Sequence, residues 1–528
     1  MLKDDIKYYI EKNKKILFYS IVFSCICFGF MLTHHMVLID EEFHYNTQSR
    51  PELFLAAQRF TNYLLGKVYA NGRIIPFFTD FSSIVLWNIS GFIFGLCFFK
   101  ENHSPLSRFI ALSYFSTVPF CVGEIFAFSE IILSVSIAML LTSIAFWLTI
   151  HPFGGVIDRA AIVLLLTLAI GSYQAFICVY LTAIMAKCCL NHWNKEKFFG
   201  IMIKGTVLCI MAIGLYFLIN FFISAESGMP GYLSNNYIGW FSEDNVLKAA
   251  FMAFANVIRV SFAIKIQDEI IYGGLPIMIL TTIFCIISVI RIIHAKGFIE
   301  KIKCVMLSAL FVMAPFSLYI ALGTYKTHGR VMLALSLSGM IELLCLFDYI
   351  KPDHVRVNNK RSVLIVIAYI LTIWMLLSNA SNMNMIYYSA YQAYEYDCTL
   401  ADSIINDVNK ITSDSTPKTL VTIGSCEPEI EIEPKNVTLG ASFFSWDGGA
   451  IHRIKAFMEL RGKLFNSATS DDIIDALEYL AHNDMPSYPE EGSVVLLGDM
   501  VIVYLGEPSD KWYQTNLPGY NVDQNIKP

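Results

Sequence analysis

Asp40, Glu41 and Glu42 stand in a row just beyond the first long apolar run, with His44 two residues further on. Carboxylates at the edge of hydrocarbon are partly desolvated, and such a group accepts a proton from a hydroxyl well. The chemistry that follows is base-assisted transfer of a group to an alcohol, and only one of the three need act. Asp40, nearest the apolar run, is the first choice for the base. A run of charge also serves simply to end a helix in water, and that plainer role stands beside the catalytic one.

A second set of residues can hold substrate. Glu124 and Glu130 flank a short loop, Gly123–Phe128, between apolar runs, where they either terminate helices or orient a sugar. Asp80 lies a few residues inside an apolar run, and an intramembrane carboxylate is a functional candidate by default. It can instead pair with Arg73 about two helical turns away. Lys326, His328 and Arg330 crowd an eight-residue loop, 323–330. Arginine offers a two-pronged fork and lysine a point charge, which suits the phosphate of a lipid headgroup. Arg59, Arg73 and Arg259 are further cations for such a pocket, and Tyr173 and Gln174 either line it or serve packing. The expectation is that the 40–42 carboxylates and the 326–330 cations share one wet pocket on the non-cytoplasmic face.

The elements that must position these groups are membrane helices. Of 528 residues, 55% are hydrophobic and only 16% charged, with mean hydropathy +0.53. A soluble domain keeps nearer a quarter of its residues charged. Basic residues begin the chain, and Ile16–Ile39 is long enough to cross ~30 Å of hydrocarbon. No small-residue cleavage pattern follows it, so it reads as a retained helix. Further spans are expected at Ile74–Phe99, Leu106–Val122, Ser129–Ile150, Lys204–Ile223, Ile270–Ile293, Val305–Leu322, Val331–Phe347 and Ser362–Ser381. Arg159–Lys187 reads as a short helical hairpin turning at Gly171–Gln174, each half shorter than a full span. About eleven crossings result. The inferred inner segments then hold 20 Lys and Arg against 9 in the outer loops before the tail. That bias puts the N-terminus in the cytoplasm and the tail outside.

From Asn382 onward there are 22 acidic and 9 basic residues, against 22 and 29 in the rest. The positive charges sit at helix ends rather than in one patch, so nucleic acid is excluded as a partner. The tail reads as an α/β domain over 382–528, behind a membrane part over 1–381. Helices are expected at Tyr391–Ile411, Ile451–Arg461 and Asp471–Ala481, the last capped by Ser470. Strands are expected at Thr419–Ile423, Val494–Leu497 and Val501–Leu505. Glu427–Glu433, alternating Glu with Ile or Pro, reads as a half-exposed edge rather than a metal site. Eleven of the 13 cysteines fall in or beside apolar runs, and no spacing makes a metal site. Cys398 and Cys426, in the tail, either pair or stay apart.

These features resemble the serotype-converting O-antigen glucosyltransferases of bacteria and their phages, members of the GT-C membrane glycosyltransferases. The likeness rests on the acidic group after the first helix and on Gly72-Arg73. It continues in Pro119-Phe120, Glu124, Phe128-Ser129-Glu130 and Gly171-Ser172-Tyr173-Gln174. Val421-Thr422-Ile423-Gly424 and Phe457-Met458-Glu459-Leu460-Arg461-Gly462 extend it into the tail. An Asp-rich pair is expected where this chain has Asp40-Glu41-Glu42, and Glu130 stands where Asp is expected.

The resemblance implies a multi-pass protein of the bacterial inner membrane with a periplasmic C-terminal domain. The donor would be an undecaprenyl-phosphate-linked hexose, usually glucose. The acceptor would be a lipid-linked O-antigen repeat or another surface glycan, reached in the bilayer. Transfer would invert the anomeric carbon, a carboxylate of 40–42 acting as base while Lys326, His328 and Arg330 hold the departing phosphate, with no cofactor or metal. Two other classes remain: a transporter or flippase of lipid-linked sugars, which should show internal repeats, and a glycan polymerase.

Overall fold

The computed structural model describes residues 2–45, 52–69, 74–227, 240, 246–264, 271–323, 328–350, 359–412, 416–428 and 439–519. Arg73, Lys326 and Glu429–Glu433 lie outside them. The chain divides into two compact units, one of residues 1–33 and 50–384, the other of 34–49 and 385–528.

The first unit is helical. Eight helices among the described residues are long and apolar enough to cross a membrane: Phe78–Phe98, Pro105–Phe126, Ser129–Ile150, Phe176–Trp193, Phe199–Ile223, Gly274–His294, Phe298–Leu322 and Val363–Ile411. Three further long helices are Leu2–Cys27, Val156–Ser172 and Ala334–Ile350. Their packing uses small polar residues between helices. Asn88 accepts from the Ser20 hydroxyl at 2.7 Å and donates to Ser24 at 3.0 Å, so buried amide and hydroxyls satisfy one another.

The first span ends sooner than its apolar run. Helix gives way after Gly29–Thr33, and Val37 and Ile39 are buried in a core of the second unit with Leu400, Ile404 and Phe457. Apolar residues close a globular core as well as they face lipid, so hydropathy alone placed that boundary six residues late.

The hairpin breaks where expected, at Tyr173–Ala175. Its halves, Val156–Ser172 and Phe176–Trp193, are longer than expected at 17 and 18 residues. The loop expected at Gly123–Phe128 is instead buried: a π-helical turn, Pro119–Gly123, runs into a helical turn, Glu124–Phe126. Val122, Ile125, Phe126 and Phe128 are each at most 4% exposed, so this apolar stretch packs inward.

The last span and the first tail helix are one helix of 53 residues, Asn359–Ile411, about 80 Å long at 1.5 Å per residue. A gap is expected between Ser381, where the last span ends, and Tyr391, where the tail helix begins. It contains no Gly or Pro, and Asn382 and Asn384 donate to the carbonyls of Ser378 and Ala380, one turn back, leaving the helix intact. Asn384 also accepts from Phe30 N at 3.0 Å and donates to Ile26 O at 3.1 Å, serving the backbone where the first helix is interrupted.

The second unit contains a four-stranded sheet. Strands β1 (Lys418–Ile423), β2 (Phe465–Ser467), β3 (Val494–Leu497) and β4 (Met500–Tyr504) lie in the order β2-β1-β4-β3. β1 is parallel to β2 and β4, and β3 closes an antiparallel hairpin with β4. Side chains alternate between two cores. Leu420, Val501 and Val503 meet the long helix and Phe457, while Val421, Ile423, Ile502 and Tyr504 meet Ile473, Ala476 and Trp512. A sheet covered on both faces explains the continuous apolar character of β4.

Helix Ser470–His482 starts one residue earlier than expected. Its cap is Thr469, in a reciprocal box with Asp472, rather than Ser470. β2 and a short helix, Asp510–Asn516, had no sequence signal strong enough to be expected. Cys398 and Cys426 are unbridged; the Cys426 thiol lies 3.2 Å from the Tyr396 hydroxyl.

Candidate functional site

In the second unit, residues 38–44 form a tight turn built around their own carboxylates. Glu41 Oε2 accepts from Leu38 N at 2.9 Å, which folds the chain back after the apolar run. Asp40 adopts φ 80°, ψ −20°, a left-handed conformation that aspartate tolerates better than most residues. A short helical turn, Glu41–Phe43, follows and buries Glu41 and Glu42.

The partner that organises the turn is Arg453, in the first turn of helix Ile451–Leu460. Its Nη2 donates to Asp40 Oδ1 at 2.7 Å and its Nη1 to Glu42 Oε1 at 2.5 Å. Asp40 stays 49% exposed while the Glu42 side chain is wholly buried. Glu42 Oε2 and Arg453 Nε are buried with no hydrogen-bond partner among the described residues. Burial pushes Glu42 up to about 7 against the pull of Arg453. Burial also works against the charge on Arg453, but Asp40 and Glu42 overcome it and raise its pKa. Burial lowers His44 to about 4, so its ring is neutral at pH 7.

The arrangement leaves one reachable carboxylate, Asp40, on a rigid support. A hydroxyl that reaches Asp40 meets a proton acceptor whose geometry is fixed before substrate arrives. Arg453 was not anticipated from sequence. The only hint was its place on a predicted amphipathic helix.

In the first unit, Glu124 and Arg330 meet. Arg330 Nη1 donates to Glu124 Oε1 at 2.9 Å and Arg330 N to Glu124 Oε2 at 3.2 Å. Gly329 makes this approach possible: a Cβ there would lie 1.9 Å from Phe120 O and 2.7 Å from Glu124 Oε2. The Arg330 guanidinium lies 4.7 Å from the Phe128 ring centre. Tyr319 donates to His328 O at 3.1 Å and lies in the field of Glu124, Arg330 and Tyr173.

Tyr173 and Gln174 hold the segment 52–69. Arg59 sits 4.8 Å over the Tyr173 ring, and Gln174 Nε2 donates to Ala57 O at 3.2 Å and to the Tyr216 hydroxyl at 3.0 Å. Gly171 matters for the same docking, because a Cβ there would lie 2.4 Å from the Phe60 ring. Asp80 accepts from the Ser129 hydroxyl, next to Glu130 in the first turn of Ser129–Ile150. Asp80 Oδ1 is buried without a partner among the described residues.

One set thus comprises Glu124, His328, Arg330, Tyr173 and Arg59, with Tyr319 the addition that sequence did not offer. Carboxylate, guanidinium and phenol in a buried setting can orient a sugar and neutralise a phosphate. The 40–42 carboxylates belong to the second unit and the 328–330 group to the first.

No curated protein and no solved structure matches the chain. A family model described as glucosyl transferase GtrII matches residues 29–347, a stretch that contains Asp40, Asp80, Glu124, Tyr173 and Arg330 and ends before Arg453. Because that match covers more than half of the 528 residues, the chain belongs to the glucosyl transferase GtrII family.

Proposed function

We propose that this membrane glucosyltransferase moves a hexose, glucose, from undecaprenyl phosphate to a lipid-linked O-antigen or other surface glycan. It would do so at the periplasmic face of the bacterial inner membrane. The observation that supports this most is the half-exposed Asp40, fixed in a left-handed turn by Arg453 beside the buried Glu42.

In this reading Asp40 is the base. Glu41 is engaged by the turn and Glu42 is out of reach, so Asp40 is the carboxylate that an acceptor hydroxyl meets. The hydroxyl oxygen attacks the anomeric carbon from the face opposite the phosphate, its proton passes to Asp40, and the bond to the phosphate oxygen breaks. Inversion follows from that geometry. The leaving group is a phosphate monoester, stable as an anion, so cations suffice to assist it. Lys326, His328 and Arg330 supply them, with Arg73 nearby in sequence to the segment that carries Arg59. Glu124 aims Arg330, Tyr173 and Gln174 set the 52–69 segment, and Asp80 and Glu130 bind sugar hydroxyls.

The topology that goes with this function has eleven crossings, the eight long apolar helices together with Leu2–Cys27, Val156–Ser172 and Ala334–Ile350. Residues 1–381 are the membrane part and 382–528 the periplasmic α/β domain, the N-terminus being cytoplasmic. Composition and linkage analysis of surface glycan from cells with and without the protein tests the reading. A glucosyl branch that appears only with the protein supports it, and identical glycans overturn it.

A further inference from the structure

The start of helix Ile451–Leu460 presents a surface that the transfer chemistry leaves unused. His452 is exposed, and its ring lies nearly parallel to that of the half-buried Phe43, with 6.2 Å between centroids and 11° between planes. The Arg453 guanidinium lies 5.7 Å from the Phe43 ring centre. Asp447, six residues ahead of Arg453, is held at φ 53°, ψ 31° and acts electrostatically on His452. Lys511 lies 3.3 Å from its carboxylate, and Thr515 donates to its carbonyl at 3.0 Å.

Two aspartates in this unit, Asp40, paired with Arg453, and Asp447, which acts on His452, are held in left-handed backbone. Such conformations carry backbone strain and collect where a side chain must be aimed.

A flat ring bordered by carboxylate and guanidinium is the chemistry that recognises a pyranose. The C–H face of the sugar packs on the ring, and paired hydroxyls bond to the charged groups. Charge then selects the class. Asp40 and Asp447 are matched by Arg453 and Lys511, which leaves no surplus cation to hold an anion, and the tail from Asn382 onward has 22 acidic and 9 basic residues, so an anionic glycan is repelled. Desolvation, then the Arg453 charge, holds His452 below its usual range.

We propose that Phe43 and His452, with Asp447 and Arg453, form a subsite for a neutral pyranose of the acceptor glycan beside Asp40. This rests on the reading of the chain as a transferase with a glycan acceptor.

The test uses the full chain in nanodiscs and direct binding, followed by saturation-transfer NMR, of two probes. One is a neutral tetrasaccharide cut from the surface glycan, the other an oligogalacturonate of equal length. The wild type is expected to bind the neutral probe at least tenfold more tightly than the uronate. His452→Ala is expected to lose about tenfold in that affinity and to raise the acceptor KM with the donor KM unchanged, while His452→Phe restores both. Equal affinity in wild type and His452→Ala, or tighter binding of the uronate, overturns the subsite. Binding as expected with no glucosyl transfer would overturn the proposed function and leave the subsite standing.

Discussion

Arg453 Nη2 donates to Asp40 Oδ1 at 2.7 Å across 413 positions of sequence. The same guanidinium reaches the buried Glu42, so one cation fixes an exposed carboxylate and neutralises a hidden one. The turn at residues 38–44 thereby becomes a mount for Asp40.

Removing Arg453 should cost more than removing either carboxylate. Arg453→Ala leaves Glu42 buried without its counter-charge, a change of about 3–5 kcal/mol. Lysine cannot reproduce the two-pronged contact and should rescue little. Thermal unfolding of the purified chain should show a clear drop for Arg453→Ala, and Arg453→Ala with Glu42→Gln should recover part of it.

Glu42 makes the second unit sensitive to pH. Its folded pKa, about 7, lies above the ordinary 4.5, so the folded chain holds this proton more tightly than the unfolded one. The contribution to stability is complete below about pH 4.5 and is lost as pH rises through about 7. Denaturant unfolding between pH 5 and 8 should show stability falling with pH, and Glu42→Gln should flatten that slope.

Gly329 should resist even a methyl group. The Phe120 carbonyl that a Cβ would meet at 1.9 Å is backbone within a buried turn and cannot swing away. Gly329→Ala is expected to displace Arg330 from Glu124 and lower glucosyl transfer by about tenfold or more, a loss of the size that small misplacements bring. An assay of membranes with matched protein levels checks it.

The cap of helix Ser470–His482 can be assigned by substitution. Thr469→Ala removes the hydroxyl that accepts from Asp472 N and should cost about 1 kcal/mol. Ser470→Ala should change stability by less than about 0.5 kcal/mol. Unfolding midpoints of the two variants distinguish the positions.

Sequence showed most of the helices and three of the four strands, because apolar runs and β-rich runs report local preference. It failed where one residue type serves two environments. Val37 and Ile39 are as apolar in a globular core as in lipid, so hydropathy extends past the end of the first helix. Asn382 and Asn384 fall in the expected gap between Ser381 and Tyr391, yet they satisfy helix carbonyls. Thr469 and Ser470 both suit a cap, and the choice turned on Asp472 lying three residues after Thr469. The acidic turn itself was visible as Asp40-Glu41-Glu42, but Arg453 was not, since nothing local to either segment records a pairing over such a separation. Tyr319 was hidden because it lies in an apolar run and bonds a backbone carbonyl, which no residue type records.

The most direct test is transfer by the full chain reconstituted in vesicles, with undecaprenyl-phosphate-linked glucose as donor and a lipid-linked glycan as acceptor. Wild type and Asp40→Asn are compared, and the anomeric configuration of the product is read by NMR. The account predicts an inverted product from wild type and a rate about 10²- to 10⁴-fold lower for Asp40→Asn, the range of a lost general base. Transfer by Asp40→Asn at the wild-type rate, or a product that retains the donor's configuration, would contradict it.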